Sequence, residues 1–197
     1  MVTKPHAPTP RDGADALAGW ARQQRYVFEP WPDQGWFRRW EPYEALVSAG
    51  AYFSAVSAPL PPGSVTLAEP WYADPDVEPL DRTLVAWVSH PKLVRHAAAR
   101  GGDHFNTRVS YLESPPMPRV QLGDPEWDPH LVTMAASSAE AAAAFPRPAR
   151  DVLRRARFVG HVEVRPGGMV LHVAGIRPEP AGAERLLRLA TALVAAY

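Results

Sequence analysis

The sequence predicts an α+β fold in which helices pack on a face of a single mixed or antiparallel sheet. Short runs of β-branched and aromatic residues are separated by turn residues, and other stretches carry apolar residues at helical spacing. The strand-like runs follow one another without a regular strand–helix alternation, which argues against a doubly wound parallel sheet. A hairpin pattern followed by an amphipathic helix closes the chain and completes the prediction.

The N-terminal segment is predicted as a tail followed by a helix. Residues 1–12 are polar and rich in proline, which is typical of disorder. From residue 14 to residue 21, alanine and leucine recur at helical spacing, and this helix is predicted to end near Gln24. Residues 13–197 are then expected to form a single globular domain.

The middle of the chain is predicted to contain strands and one helix. The strand predictions cover residues 26–29, 51–57, 64–69, 83–88 and 105–112. Pro91 at a first helical position and Gly101 just past the end predict a short helix within residues 90–102.

The C-terminal third has the clearest local signals. Its predicted elements are a strand at 128–135, helices at 139–145 and 147–157, hairpin strands at 158–164 and 169–174, and an amphipathic closing helix at 183–197. A serine before the first of these helices can cap it.

An aromatic segment, Tyr26–Tyr43, is the densest local feature. It holds Tyr26, Phe28, Trp31, Trp36, Phe37, Trp40 and Tyr43, and so three of the seven tryptophans. That much aromatic surface either fills a core or binds a partner. We expect most of it to be core, but we predict a binding patch at Trp31, Trp36 and Trp40, with Trp31 the most exposed.

The C-terminal hairpin carries the second candidate site. With a loop at residues 167–168, Glu163 lies opposite His172, whereas a loop at residues 166–167 places His161 opposite His172. Either register brings two histidines and a carboxylate together, and such a trio could bind a divalent metal or perform acid–base catalysis. The simpler interpretation is the solvated polar face of a hairpin.

Other charged groups are interpreted as structural. The acids of residues 124–128 alternate with a proline and a tryptophan, which favours a turn over a calcium loop. The arginines of residues 147–157 form a basic helix face that is usually solvated. His90 and His96 are expected to cap or to face solvent.

Composition excludes several classes of function. The 197 residues include no cysteine, which excludes disulfides, thiolate metal sites and cysteine nucleophiles. Acidic and basic residues number 21 each, so bulk charge recruits neither nucleic acid nor an anionic membrane. Phosphate-binding and nucleophile motifs are missing, and no cofactor is expected. With no secretory signal and no apolar run near the ~20 residues of a membrane span, we expect a soluble cytoplasmic protein.

One family resemblance concerns the C-terminal part. Residues 120–135 read VQLGDPEWDPHLVTMA and precede two predicted helices, the His161/His172 hairpin and the closing helix. Over about residues 119–197, this arrangement resembles uncharacterised bacterial proteins related to the DUF3137 group. The resemblance implies a leucine-rich helix, a hairpin and a final helix, but it transfers no catalytic residue. Many of those proteins bear transmembrane helices, whereas this chain shows no such run.

Together these features predict a non-catalytic module that binds a protein or peptide through the aromatic patch. One alternative is a metal-dependent or acid–base enzyme centred on His161, Glu163 and His172. The other is a small-molecule-binding domain in which the sheet and the C-terminal helix enclose an apolar cavity. The oligomeric state is left open.

Overall fold

The computed structural model describes residues 13–44, 46–72, 82–102 and 117–197. The strands are β1 Val27–Glu29, β2 Ala51–Leu60, β3 Gly63–Trp71, β4 Val85–Ser89, β5 Ala97–Gly101, β6 Arg119–Val120, β7 Val132–Ala135, β8 Gly160–Arg165 and β9 Gly168–Val173. The helices are α1 Ala14–Gln24, α2 Gln34–Arg38, α3 Ser138–Ala144, α4 Arg147–Arg155 and α5 Pro180–Ala195. The predicted tail at residues 1–12 and the predicted strand at 105–112 lie outside the described residues.

All the strands of the described ranges belong to one sheet. Their order is β1-β2-β3-β4-β9-β8-β5-β7-β6, and each neighbouring pair is antiparallel. The C-terminal hairpin therefore lies in the centre of the sheet, and β1 and β6 form its edges. This confirms the predicted α+β class with a single antiparallel sheet.

Four helices cover one face of the sheet, which we call the helix face. Leu17 of α1, Leu153 of α4 and Leu186 of α5 have at most 1% of their surface exposed and share one core with Val162 and Leu171 of the hairpin. Each such side chain contributes about 1.5–3 kcal/mol through burial. The predicted amphipathic closing helix is confirmed, with a start at Pro180.

The opposite face of the sheet, which we call the aromatic face, is also covered. Phe37 of α2 stacks on Tyr52 with ring centroids 4.4 Å apart, and both rings pack against Trp87. Tyr43 is buried in the same cluster. The prediction that most of the aromatic segment is core is confirmed, but the segment is divided between the two faces: Tyr26 and Phe28 pack against the core of the helix face, whereas Phe37 and Tyr43 lie in the cluster of the aromatic face.

One predicted helix is wrong. Residues 97–101 form β5, which pairs with β8 on one side and β7 on the other, so only a turn at residues 91–92 remains of the helix predicted within 90–102. Alanines at 97, 98 and 99 are completely buried. Helix propensity is a weak preference, and two ladders of backbone hydrogen bonds at the sheet centre outweigh it.

The hairpin adopts the second of the two predicted registers. His161 lies opposite His172, and Arg165 pairs with Gly168 across a loop at residues 166–167. Gly167 has a φ of +84°, a backbone conformation that glycine adopts without steric cost.

The acidic turn and the basic helix contact each other. Asp128 accepts hydrogen bonds from the backbone N–H groups of Leu122 and Asp124, at 3.0 and 3.1 Å, which confirms the turn at residues 124–128. Arg150 Nε lies 3.1 Å from a carboxylate oxygen of Asp124, and Arg154 pairs with Glu126. The basic face of α4 is thus partly neutralised by this turn instead of being only solvated.

Candidate functional site

The loop between β1 and α2 has fixed geometry. Ser54 donates its backbone N–H to the carbonyl of Pro30 at 3.1 Å. The Gln34 amide donates to the carbonyls of Pro32 and Tyr52, at 2.8 and 2.9 Å, and accepts from the N–H of Tyr52 at 2.8 Å. These bonds satisfy backbone groups that the prolines leave outside regular structure.

Trp31 lies in this loop and faces outward. Its side chain is 51% exposed, and its ring rests on Phe53 with centroids 4.8 Å apart. Val27, also at this sheet edge, is 61% exposed. The prediction that Trp31 is exposed is confirmed, so a large rigid apolar side chain is available at the β1 edge.

Trp36 and Trp40 are half-buried and belong to the cover of the aromatic face. The Trp36 ring packs on the ring of Trp40 at 5.8 Å and on that of Trp87 at 6.5 Å. Trp40 lies directly over the backbone of Gly168, where a Cβ would lie 2.4 Å from the indole. These contacts show that Trp36 and Trp40 pack against the sheet. A binding role for these two residues stays a prediction.

Gly168→Ala is expected to lower the free energy of unfolding by about 1–3 kcal/mol, since the added methyl must displace Trp40 and would also lie 2.7 Å from the carbonyl oxygen of Val88. Gly19→Ala is the matched control: no atom lies within 4 Å of its added Cβ, and alanine in a helix stabilises by about 0.5–1 kcal/mol relative to glycine. Urea unfolding of both variants measures the difference. Equal stability of Gly168→Ala and the wild type would contradict the close packing of Trp40.

A buried ion pair fastens the loop after α2 to the sheet. Arg165 of β8 donates to the carboxylate of Glu163, to the carbonyl of Trp40 at 2.6 Å and to the carbonyl of Pro42. Glu163 in turn accepts the backbone N–H of Glu44 at 2.8 Å. We call Arg165 and Glu163 the anchor, because they connect the central hairpin to the chain segment that covers it.

Histidines surround the anchor. His161 Nε2 lies 3.3 Å from one oxygen of Glu163, and His96 Nε2 lies 3.7 Å from the other. His172 Nε2 is 2.8 Å from the hydroxyl of Thr83. The structure thus places the three predicted metal or acid–base residues on one sheet face, but His172 points toward Thr83 rather than toward Glu163.

The predicted solvated face of the hairpin is wrong. His161 and Glu163 have no exposed surface and His172 has 5%, because the aromatic segment and the residues after it cover this face. In residues 13–44, 46–72, 82–102 and 117–197, no three His, Cys, Asp or Glu side chains are placed to hold a metal ion.

The pKa values of this cluster are shifted by burial and charge. Burial alone would raise the pKa of Glu163, but the imidazoles of His161 and His96 close to its carboxylate, and the charge of Arg165, lower it far below its usual value. Burial, with a smaller effect from His161, lowers the pKa of His172 to about 3. At neutral pH Glu163 is therefore ionised and His172 neutral, and neither titrates near pH 7 as an acid–base catalyst does.

Sequence reasoning missed the partners that reach this cluster from distant segments. The alternation of His161, Glu163 and Arg165 shows that they share a face, which the sequence could reveal. Nothing in the sequence signals that His96 and Glu44 meet them, because those contacts depend on how the segments fold over the sheet.

A small cavity lies between the hairpin and α5, where the small-molecule alternative predicts the ligand to bind. It has a volume of about 220 Å³ and is lined mainly by Phe158, Val173, Ile176, Leu186 and Leu189. Pockets for drug-sized ligands usually hold about 300–1,000 Å³. The cavity has the predicted location and apolar lining but is small for such a ligand.

The fold is shared with a protein of known structure. The crystal structure of the mycobacterial trehalose monomycolate transport factor A, TtfA, matches with a TM-score of 0.66 and 11% sequence identity, over 94% of this chain and 95% of that chain. No protein-family model and no curated protein matches the sequence, and the resemblance of residues 119–197 to the DUF3137 group stays a prediction. At this identity the likeness shows the fold alone. None of the helices in the described ranges is long and apolar enough to cross a membrane.

Proposed function

We propose that this chain is a non-catalytic protein- or peptide-binding module whose partner docks on Trp31. The observation that carries the proposal is the exposed indole, 51% accessible, in a loop held by hydrogen bonds from Ser54 and Gln34. Most other large aromatic side chains of the segment are needed to cover the sheet, whereas Trp31 is not. Tryptophan is enriched among the residues that dominate binding energy, and a preformed loop limits the entropy lost on association.

The enzyme alternative receives less support from the same geometry. The carboxylate of Glu163 and the ring of His161 have no exposed surface, so a substrate would reach them only if the covering residues moved. The ionised Glu163 is already engaged by Arg165 and by the N–H of Glu44. The cluster is better suited to attaching the loop after α2 to the sheet than to proton transfer.

The structural neighbour is compatible with a non-catalytic role. TtfA is named for transport of trehalose monomycolate and not for a chemical reaction. We propose by analogy that this chain acts as a factor of that kind, and that it does so by binding a partner at Trp31.

Trp31→Ala is expected to weaken partner binding by about tenfold or more, since truncating a tryptophan at the centre of an interface typically costs 2 kcal/mol or more. Quantitative affinity capture from cells that express the chain measures it, and circular dichroism checks the fold of each variant. Val94→Ala is the control, because Val94 is 63% exposed and lies beside Ala143 and Tyr197, on another part of the surface. Identical partner profiles for wild type and Trp31→Ala would contradict the proposal.

A further inference from the structure

The cavity between the hairpin and α5 has a buried apolar floor. Four of its lining side chains have at most 9% of their surface exposed, namely Phe158, Val173, Ile176 and Leu186. Ala156, which follows the last residue of α4, and Leu189 of α5 are half-buried and lie nearer the opening. Such walls offer water few hydrogen-bond partners, so an apolar group gains free energy by taking the place of water there.

One cation lies at the opening of this cavity. Among the described residues, Arg185 is the only charged residue that lines it, and its side chain is exposed. No described carboxylate forms an ion pair with Arg185, whereas Arg188 on the same helix pairs with Glu184. A guanidinium without a partner can bind a carboxylate through two parallel hydrogen bonds. The opening is therefore suited to an anionic group.

The volume of the cavity limits the length of the apolar group. A methylene group fills about as much space as a water molecule in the liquid, about 30 Å³. A cavity of about 220 Å³ therefore holds roughly seven carbon atoms. With one further carbon in the anionic group at the opening, the ligand has the size of octanoate.

We propose that this cavity binds a free aliphatic carboxylate of about eight carbons, with the chain inside and the carboxylate beside Arg185. A single cation matches the one negative charge of a carboxylate. A phosphate monoester carries a charge of about −1.5 to −2 at pH 7, which one arginine does not neutralise. The site is separate from Trp31, and this inference goes beyond the proposed function and does not depend on it.

Ile176 is a direct probe of this site, because it is the only isoleucine of the chain and lines the cavity. Labelling the δ1 methyl group of isoleucine with ¹³C gives one NMR signal from the full chain, and we expect sodium octanoate to shift it saturably. From butanoate to octanoate, the affinity is expected to rise about fourfold for each methylene, and to level off for decanoate and dodecanoate. No shift, or an equal gain for each methylene up to dodecanoate, would overturn the proposal.

Charge variants test the position of the carboxylate. Arg185→Gln is expected to weaken octanoate by about threefold to fivefold, as for an exposed ion pair, and to leave the binding of octanol unchanged. Arg188→Gln is the matched control, because Arg188 is exposed on the same helix but does not line the cavity. Unchanged binding of octanoate by Arg185→Gln, or tighter binding of octyl phosphate than of octanoate, would overturn the assignment of a carboxylate.

A cavity-filling variant tests the position of the chain. Ala156→Leu adds three carbon atoms at the wall of the cavity, and is expected to weaken octanoate by about tenfold or more and to move the preferred ligand to a shorter chain. Ala142→Leu is the control, since Ala142 is exposed on α3. Circular dichroism verifies the fold of each variant. If Ala156→Leu and the wild type preferred the same chain length with equal affinity, the chain would not occupy this cavity.

Discussion

Arg165→Met is expected to lower the free energy of unfolding by about 3–5 kcal/mol, the usual cost of leaving a buried charge without its partner. The guanidinium is the cation in contact with the fully buried Glu163, and it also satisfies the carbonyls of Trp40 and Pro42. Methionine fills similar space but has no donor for these three acceptors. Chemical unfolding in urea, followed by circular dichroism, measures the loss.

A control and a double variant separate the anchor from a general effect of losing an arginine. Arg155 is exposed, and Arg155→Met is expected to change stability by less than about 0.5 kcal/mol. Glu163→Gln combined with Arg165→Met is expected to cost less than the sum of the two single changes, because the second change no longer breaks an ion pair. Additive losses, or a stable Arg165→Met variant, would contradict the anchor.

Local signals in the sequence were sufficient for the elements of the C-terminal third. The strands on either side of Gly167 and the apolar stripe of α5 carry their own periodicity and turn residues, and each forms where it was predicted within a few residues. In these elements the local conformational preference of the sequence agrees with the conformation in the final fold. This agreement made them predictable from the sequence.

Features whose conformation or burial depends on neighbouring elements were not predicted correctly from the sequence. The alanines of β5 suit a helix equally well, and only the ladders to β7 and β8 select the strand. The hairpin face was expected to be solvated because its residues are polar, yet the aromatic segment covers it. Burial of such a face depends on contacts more than a hundred residues apart in the chain, such as that of Arg165 with Trp40.

The candidate site divides in the same way. The prolines around Trp31 indicate a constrained loop, and its exposure could be anticipated from the sequence. The position of β1 at one end of the sheet that the described residues form could not, because it follows from the order of strands across that sheet. Which tryptophans pack against the sheet and which are exposed likewise depends on contacts between distant residues, such as that of Trp40 with Gly168.

The free energy of unfolding is expected to fall steadily as the pH drops below about 6.5. His172 has a pKa of about 3 in the folded chain against the ordinary histidine value of 6.5, so between these values only the unfolded state binds this proton. Its contribution is complete above pH 6.5 and is lost as the pH falls toward 3. One proton corresponds to a slope of about 1.4 kcal/mol per pH unit.

Glu163 acts in the same direction at lower pH. Its folded pKa is lowered, so below the ordinary glutamate value of 4.5 the unfolded carboxylate is protonated while the folded one stays ionised beside Arg165. The slope should therefore steepen toward two protons below about pH 4.5. Urea unfolding at a series of pH values between 7 and about 3.5 gives this profile directly.

His172→Gln identifies the source of the upper part of the profile. Glutamine cannot titrate but can still bond to the hydroxyl of Thr83, so the slope between pH 6.5 and 4.5 is expected to decrease by about one proton. His130→Gln, at an exposed position, is expected to follow the wild type. The ring of His172 is buried, so its pKa is expected to differ between the folded and the unfolded chain. A profile that His172→Gln leaves unchanged would contradict this and mean that the ring takes up protons equally readily in both states.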